Sequence, residues 1–209
     1  MARKILLVCG FLSSPLYVAA DVLAARRYPG YRYADQVFSE LTAAGAPTRP
    51  LMVAVGIPYS LLVAAFGAGV WASAGRTPAA RLTGALLEGY GLSGMAGGML
   101  FPMTPRGITG TRRNVMHIPA TGVMSLFLVL SMGTGARLLG QRFRYYSYGT
   151  ILTLLLFGGL TSRQGPRLAR NQPTPWMGIE ERINIYATML WLAVLAVGLL
   201  RAPSREVIP

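Results

Sequence analysis

The stretch Tyr33 to Leu41 reads YADQVFSEL and sets Asp35 with Ser39, and Gln36 with Glu40, at the i, i+4 spacing of a helical turn, while Val37, Phe38 and Leu41 supply an apolar side. The single histidine, His117, shares a helix face with Arg113, Asn114 and Thr121. Pro119, just after it, has no amide hydrogen, which frees the Val115 carbonyl and lets the helix bend beside the imidazole. A third group, Glu181, Asn184 and Thr188, forms a stripe that ends at Trp191, with Glu180 and Arg182 at its start. If these segments meet, two chemistries are open. His117 with Glu40 and Glu181 has the donor set for a divalent metal; alternatively, His117 acts as base toward Ser39 with Asp35 or Glu181 as orienter. No H-E-x-x-H, G-x-S-x-G or paired-cysteine motif is present to decide between them. Arg182, Asn184, Arg113 and Asn114 are the binding candidates around this set. Each segment also has a plainer reading: a solvated amphipathic connector, an interfacial histidine with one hydrogen bond, and a capped helix with interhelical hydrogen bonds.

The elements that must position these groups are those of a membrane bundle. Hydrophobic residues make up 53% of the 209-residue chain and charged residues 13%, against about 25% charged in a soluble domain, and the mean hydropathy is +0.44. The apolar residues fall into blocks of about 18 to 24, the length set by a hydrocarbon layer about 30 Å thick. Six spans are expected, at residues 5–23, 51–74, 82–101, 115–135, 143–160 and 183–200. Tyr145, Tyr146 and Tyr148 serve the fifth as interfacial anchors. The fold class is therefore all-α: one integral membrane domain over residues 1–209, a polytopic six-transmembrane-helix bundle with a short interfacial helix in the first long loop. The basic start at Arg3-Lys4 imitates a signal peptide, but the first apolar block exceeds the 7 to 15 or so residues of a signal core and reads as an uncleaved helix. Lone Cys9 excludes an intramolecular disulfide.

The net charge is +13, yet the arginines sit singly or in pairs at the ends of apolar blocks. No basic stripe interleaved with aromatics exists, so nucleic acid is excluded as a partner. An even number of spans puts both termini at one end of the bundle, end A, together with Arg3, Lys4, Arg76, Arg81, Arg137, Arg142, Arg144, Arg201 and Arg205 and one acid, Glu206. The other end, B, has the longer loops 24–50, 102–114 and 161–182, with Asp35, Glu40, Glu180 and Glu181 diluting their cations. Density of positive charge in short loops makes end A cytoplasmic. The expected location is the cell membrane, multi-pass, with both termini cytoplasmic and the candidate residues at the extracytoplasmic mouth.

Two further acids lie within the spans. Asp21, near end B of the first span, belongs with the same mouth. Glu88 lies roughly 9 Å inside the third span by helical rise, with no cation in the spans to neutralise it. It must be protonated or hydrogen-bonded, which opens a proton-coupled role. The same span carries Gly94 and Gly98 as a small-xxx-small pair. Its glycines mark the most buried helix, an unwound functional helix, or a surface for a homo-oligomer.

Tyr28-Pro29-Gly30-Tyr31, Asp35-Gln36, Ser39-Glu40-Leu41 and Gly45-Ala46-Pro47, with Phe101-Pro102, His117, Glu181-Arg182 and Trp191, together resemble the bacterial and archaeal membrane family catalogued as domain of unknown function 998. The resemblance covers about residues 5 to 201, with Ser-Glu-Leu its specific part. It implies six membrane helices and no established activity. Met103-Thr104-Pro105 stands where that family often has an acidic residue, so the 102–106 loop is not expected to take a metal or acid role. Three functions follow as expectations: an enzyme acting on a lipid or other amphiphile; a non-catalytic lipid-binding or membrane-complex-stabilising subunit; and a proton-coupled carrier using Glu88. Membrane lipid is the expected partner of the first two.

Overall fold

The structure is a computed structural model that describes residues 1–74 and 77–202. Arg76, Arg205 and Glu206, counted above toward the charge of end A, lie outside the described residues, as does part of the expected hairpin after the second span. The described residues are helical without strands: α1 (Ala2–Arg27), α2 (Phe38–Leu41), α3 (Arg49–Ala72), α4 (Pro78–Leu100), α5 (Arg112–Gly135), α6 (Gln141–Arg163), α7 (Gly165–Ala169) and α8 (Met177–Arg201). Each expected span falls on one of the six long helices. α1, α3, α5 and α8 are long and apolar enough to cross a membrane. α4 and α6 are as long, but glycines and Glu88 in the one, and tyrosines and hydroxyl residues in the other, lower their hydropathy.

Local signals set the ends. Prolines open α3 and α4 in the first turn, where a missing amide hydrogen costs nothing. The Thr111 hydroxyl caps α5 by accepting from the Asn114 amide at 3.2 Å. Arg26 and Arg27 close α1, where cations complement the helix dipole.

The long helices form a ring in the order α1, α3, α4, α5, α6, α8 and back to α1, with α5 on α6 the slimmest contact. α3 and α4 approach most closely at Gly67 and Gly84: a Cβ on either would stand 2.7 Å from the other's carbonyl oxygen. On its other side α4 presents Gly89 to the ring of Phe127 on α5. Gly84, Gly89 and Gly91 of α4 thus serve packing within the bundle, whereas a Cβ on Gly98 would meet nothing within 4 Å, and the helix runs unbroken. The end-A half of the ring is filled by Leu7, Phe66, Val70, Leu87, Met132, Phe143, Trp191 and Leu195. Trp191 is fully buried and donates to the Ser147 hydroxyl at 2.9 Å. Leu82, Leu92, Leu126, Leu130, Leu152, Leu156 and Leu190 point outward. An exterior this apolar suits hydrocarbon, not water.

The helix in the first long loop is shorter than the YADQVFSEL stretch. Only Phe38–Leu41 is helical, and Phe38 and Leu41 are buried against Ala20 and Ala24 of α1 and Met52 of α3. Asp35 and Gln36 lie in the turn before it, so the i, i+4 pairs expected there do not share one helical face, although Gln36 Nε2 still donates to Glu40 at 3.4 Å.

Candidate functional site

The backbone of residues 33–36 cannot join α2 because other elements take its carbonyls. Those of Tyr33 and Gln36 accept from Arg182 Nη1 at 2.9 and 3.1 Å, that of Ala34 from the Ile179 amide at 3.1 Å, and that of Asp35 from the Thr174 hydroxyl at 2.8 Å. α8 meets this segment at Gly178. A Cβ there would stand 2.5 Å from the Tyr33 oxygen and closer still to that of Gln36.

Arg182 and Asp21 form a buried two-pronged ion pair, Nε to Oδ2 and Nη2 to Oδ1, both 2.9 Å. Oδ2 also accepts from the hydroxyls of Tyr33 at 2.9 Å and Tyr186 at 2.6 Å, and Nη2 donates to the Tyr31 hydroxyl at 2.8 Å. The guanidinium lies 3.6 Å over the ring centroid of Tyr33. Burial, the largest cause, holds the phenols of Tyr31 and Tyr33 above the ordinary tyrosine range, so both are neutral donors. Arg182, read above as a binding candidate, has its charge and donors engaged within the fold.

A second knot joins all three end-B loops. Glu40 pairs with Arg106 through both carboxylate oxygens, one at 3.1 Å, and accepts the Val37 amide at 2.9 Å. Arg106 continues to the Thr174 hydroxyl at 2.8 Å and the Gln172 carbonyl at 3.3 Å. Asp35 pairs with Arg32 and accepts the Trp176 amide at 3.1 Å. These contacts fix the loops to one another as a roof.

Beneath the roof lies a cavity of about 600 Å³. Its walls come from the end-B halves of the ring: residues such as Met52 and Ile57 of α3, Met95 of α4, Met124 and Leu128 of α5, Leu154 of α6 and Ile185 of α8. Tyr59 and Tyr90, with hydroxyls 3.1 Å apart, and Tyr17, whose ring lies 4.4 Å from that of Tyr59 and 4.9 Å from that of Phe38, complete one side. Ser39, Thr42, His117 and Glu181 are polar lining groups where the helices meet the loops. Glu181 accepts from the Ser39 hydroxyl at 2.9 Å and from the Phe38 amide, which couples α8 to the first turn of α2. His117 Nδ1 stands 2.8 Å from the Phe101 carbonyl. A carbonyl only accepts, so Nδ1 donates to it, and Nε2 has no hydrogen bond among the described residues.

The cavity thus gathers His117, Ser39, Glu181 and Asn184 from the candidate set. Asn184 spans to α6, its nitrogen donating to the Leu154 carbonyl at 3.3 Å and its oxygen accepting the Gly158 amide at 2.9 Å in the orientation that satisfies both. Glu40, Asp35 and Arg182 belong to the roof instead. No group of three His, Cys, Asp or Glu side chains among the described residues is placed to hold a metal ion. Glu40 and Glu181 have separate partners, and Ser39 donates to Glu181 with no hydrogen bond to His117 among the described residues. Asn114 accepts from the Thr104 hydroxyl at 3.0 Å, while Arg113 is exposed. Glu88 is half-buried in α4 against Gly67 and does not line the cavity. The sequence by itself assigns no site role to Arg106, nor to Tyr31, Tyr33 and Tyr186 around Asp21. Their signal was the need of two buried carboxylates for partners.

The roof and the cavity lie within one stretch of recognisable sequence: the family model described as "Protein of unknown function (DUF998)" matches residues 11–198. The chain belongs to that family. Among curated proteins and among solved structures nothing matches it. The DUF998 match takes in Asp21, Arg106 and Arg182 as well as His117, so both the roof and the cavity mouth fall within the family region. It is a membrane protein by that membership and by its apolar helices.

Proposed function

We propose that the chain is a six-helix, multi-pass protein of the cell membrane that holds an apolar chain of a lipid or similar amphiphile in its end-B cavity. The observation that carries this reading is the cavity itself: about 600 Å³, largely apolar walls, and imidazole, hydroxyl and carboxylate groups where the helices meet the roof. Such a volume is ordinary for a small-molecule site. The charged residues of the mouth support binding more than chemistry, because Asp21, Arg182, Glu40 and Arg106 neutralise one another in the roof. In this reading α4 and α6 span the membrane with the other four helices, α2 lies at the interface, and end A faces the cytoplasm. Native mass spectrometry of protein released from mild detergent tests the binding: an amphiphile retained on the chain is expected, and protein that is empty under conditions that preserve its fold contradicts it. Impermeant thiol reagents on intact cells test the topology in a Cys9→Ala background. Gln172→Cys should label and Gln141→Cys should not; the reverse pattern inverts the orientation.

A second reading, an enzyme acting on that amphiphile, is favoured by His117, which lines the cavity with one ring nitrogen uncommitted. His117→Gln separates the two. A binding protein keeps its amphiphile unchanged in this variant, whereas an enzyme accumulates an unprocessed one.

A further inference from the structure

The cavity has a side opening. Its lining residues from α1, α3 and α8 are all buried or half-buried. Lining residues that are also exposed occur on α5 (Thr121, Ser125), on α6 (Leu155, Gly159, Ser162) and in the last turns of α4. Leu155 touches the cavity while 63% exposed, so the wall is breached where it stands. This is the flank where α5 and α6 make the slimmest contact of the ring. A chain lying in the surrounding hydrocarbon reaches the cavity there without crossing the roof.

The end-B edge of that opening is basic. Arg112 and Arg113 form the first turn of α5 and Arg163 is the last residue of α6. All three are exposed, and their side chains have no hydrogen bond or ion pair among the described residues. The nearest acid along the sequence on this flank, Glu180, already accepts from Gln164 at 2.9 Å. Thr161 and Ser162, next to Arg163, line the cavity, so the guanidinium groups stand at the level of its mouth. Guanidinium matches a phosphate with two parallel hydrogen bonds, and three exposed arginines against the single acid Glu180 favour an anionic headgroup over a zwitterionic one.

We infer that the occupant of the cavity is an anionic phospholipid that enters sideways between α5 and α6, one acyl chain inside and its phosphate on Arg112, Arg113 and Arg163. This rests on the amphiphile reading above and adds the headgroup class and the route.

The test compares phosphatidylglycerol and phosphatidylcholine carrying the same fluorescent acyl chain, bound to the purified protein in detergent. Phosphatidylglycerol should bind at least about tenfold more tightly at low salt, the gap closing as salt rises. The combined Arg112→Gln, Arg113→Gln and Arg163→Gln variant should lose the gap, its affinity for phosphatidylglycerol falling to that for phosphatidylcholine. Equal binding of the two lipids by the unaltered protein, or a gap that survives the triple substitution, overturns the headgroup assignment and leaves the cavity reading standing. Failure of both lipids to bind overturns the cavity reading itself. The route is read with a phosphatidylglycerol bearing a photoreactive diazirine in its acyl chain. Crosslinks on both α5 and α6 at cavity-lining positions are expected, and crosslinks confined to α1 and α3 overturn lateral access.

Discussion

Arg182 and Asp21, 161 residues apart in the chain, face each other as a buried two-pronged ion pair with both nitrogen–oxygen distances at 2.9 Å. The pair joins α8 to α1, and through Arg182 it also holds the Tyr33 and Gln36 carbonyls. Removing one partner leaves a buried charge alone, which costs about 3 to 5 kcal/mol. Asp21→Asn and Arg182→Met should each lower stability by that order in detergent unfolding. The double variant should lose clearly less than the sum, since no bare charge remains in it. Additive losses would show that the two residues act independently.

Gly178 faces backbone oxygens that cannot move away as a flexible side chain would. Gly178→Ala should therefore destabilise by about 1 to 3 kcal/mol from overpacking, measured by thermal unfolding. Gly149→Ala is the control, because a Cβ at that helical glycine meets nothing within 4 Å. An alanine at 178 as harmless as one at 149 would contradict the close approach of α8 to residues 33–36.

The long helices were legible because hydrocarbon imposes one length and one composition on every span, and apolar blocks bounded by arginines report both. Tertiary pairing carries no such local mark. Asp21 inside an apolar helix announces its need for a cation, but nothing near it in sequence says that Arg182 answers it. Nor does the sequence say which partner each end-B group takes: Glu40 is held by Arg106, Glu181 by Ser39 and the Phe38 amide, and His117 by the end of α4. The short extent of α2 was likewise hidden, since the residues that claim the carbonyls of 33–36 come, apart from Tyr31, from loops and helices more than a hundred residues away or, for Arg106, about seventy.

Tyr31 and Tyr33 donate their protons within the roof, and burial raises both phenols above the ordinary range. The neutral form is favoured in the folded state, so this stability is complete below the unfolded tyrosine value of about 10 and is lost as pH rises from there toward the folded value. Melting temperature should hold steady from neutral pH to about 9 and fall above about 10. Tyr31→Phe and Tyr33→Phe should each make the alkaline fall shallower. An unchanged alkaline limb in both variants would count against neutral phenols in the roof.

Arg106 carries the contact between α2 and the 161–182 loop. Arg106→Ala should raise amide hydrogen exchange in residues 35–42 and 172–176 together while leaving the end-A core protected. Faster exchange in only one of the two segments would show that the loops are held apart from each other, not through this guanidinium.

The central claim is that the hollow half of the ring holds an amphiphile, and Gly56 tests it most directly. It lines the cavity, and a Cβ added there meets nothing within 4 Å, so Gly56→Phe starts its side chain from open space into the cavity. Leu152, on the outer surface of α6, supplies the control as Leu152→Phe. The measurement is the amount of lipid retained per chain after purification, by native mass spectrometry. Lipid retained by the unaltered protein and by Leu152→Phe but lost from folded Gly56→Phe is the predicted result. Equal retention in all three would mean that the lipid sits outside the bundle, and would contradict the account.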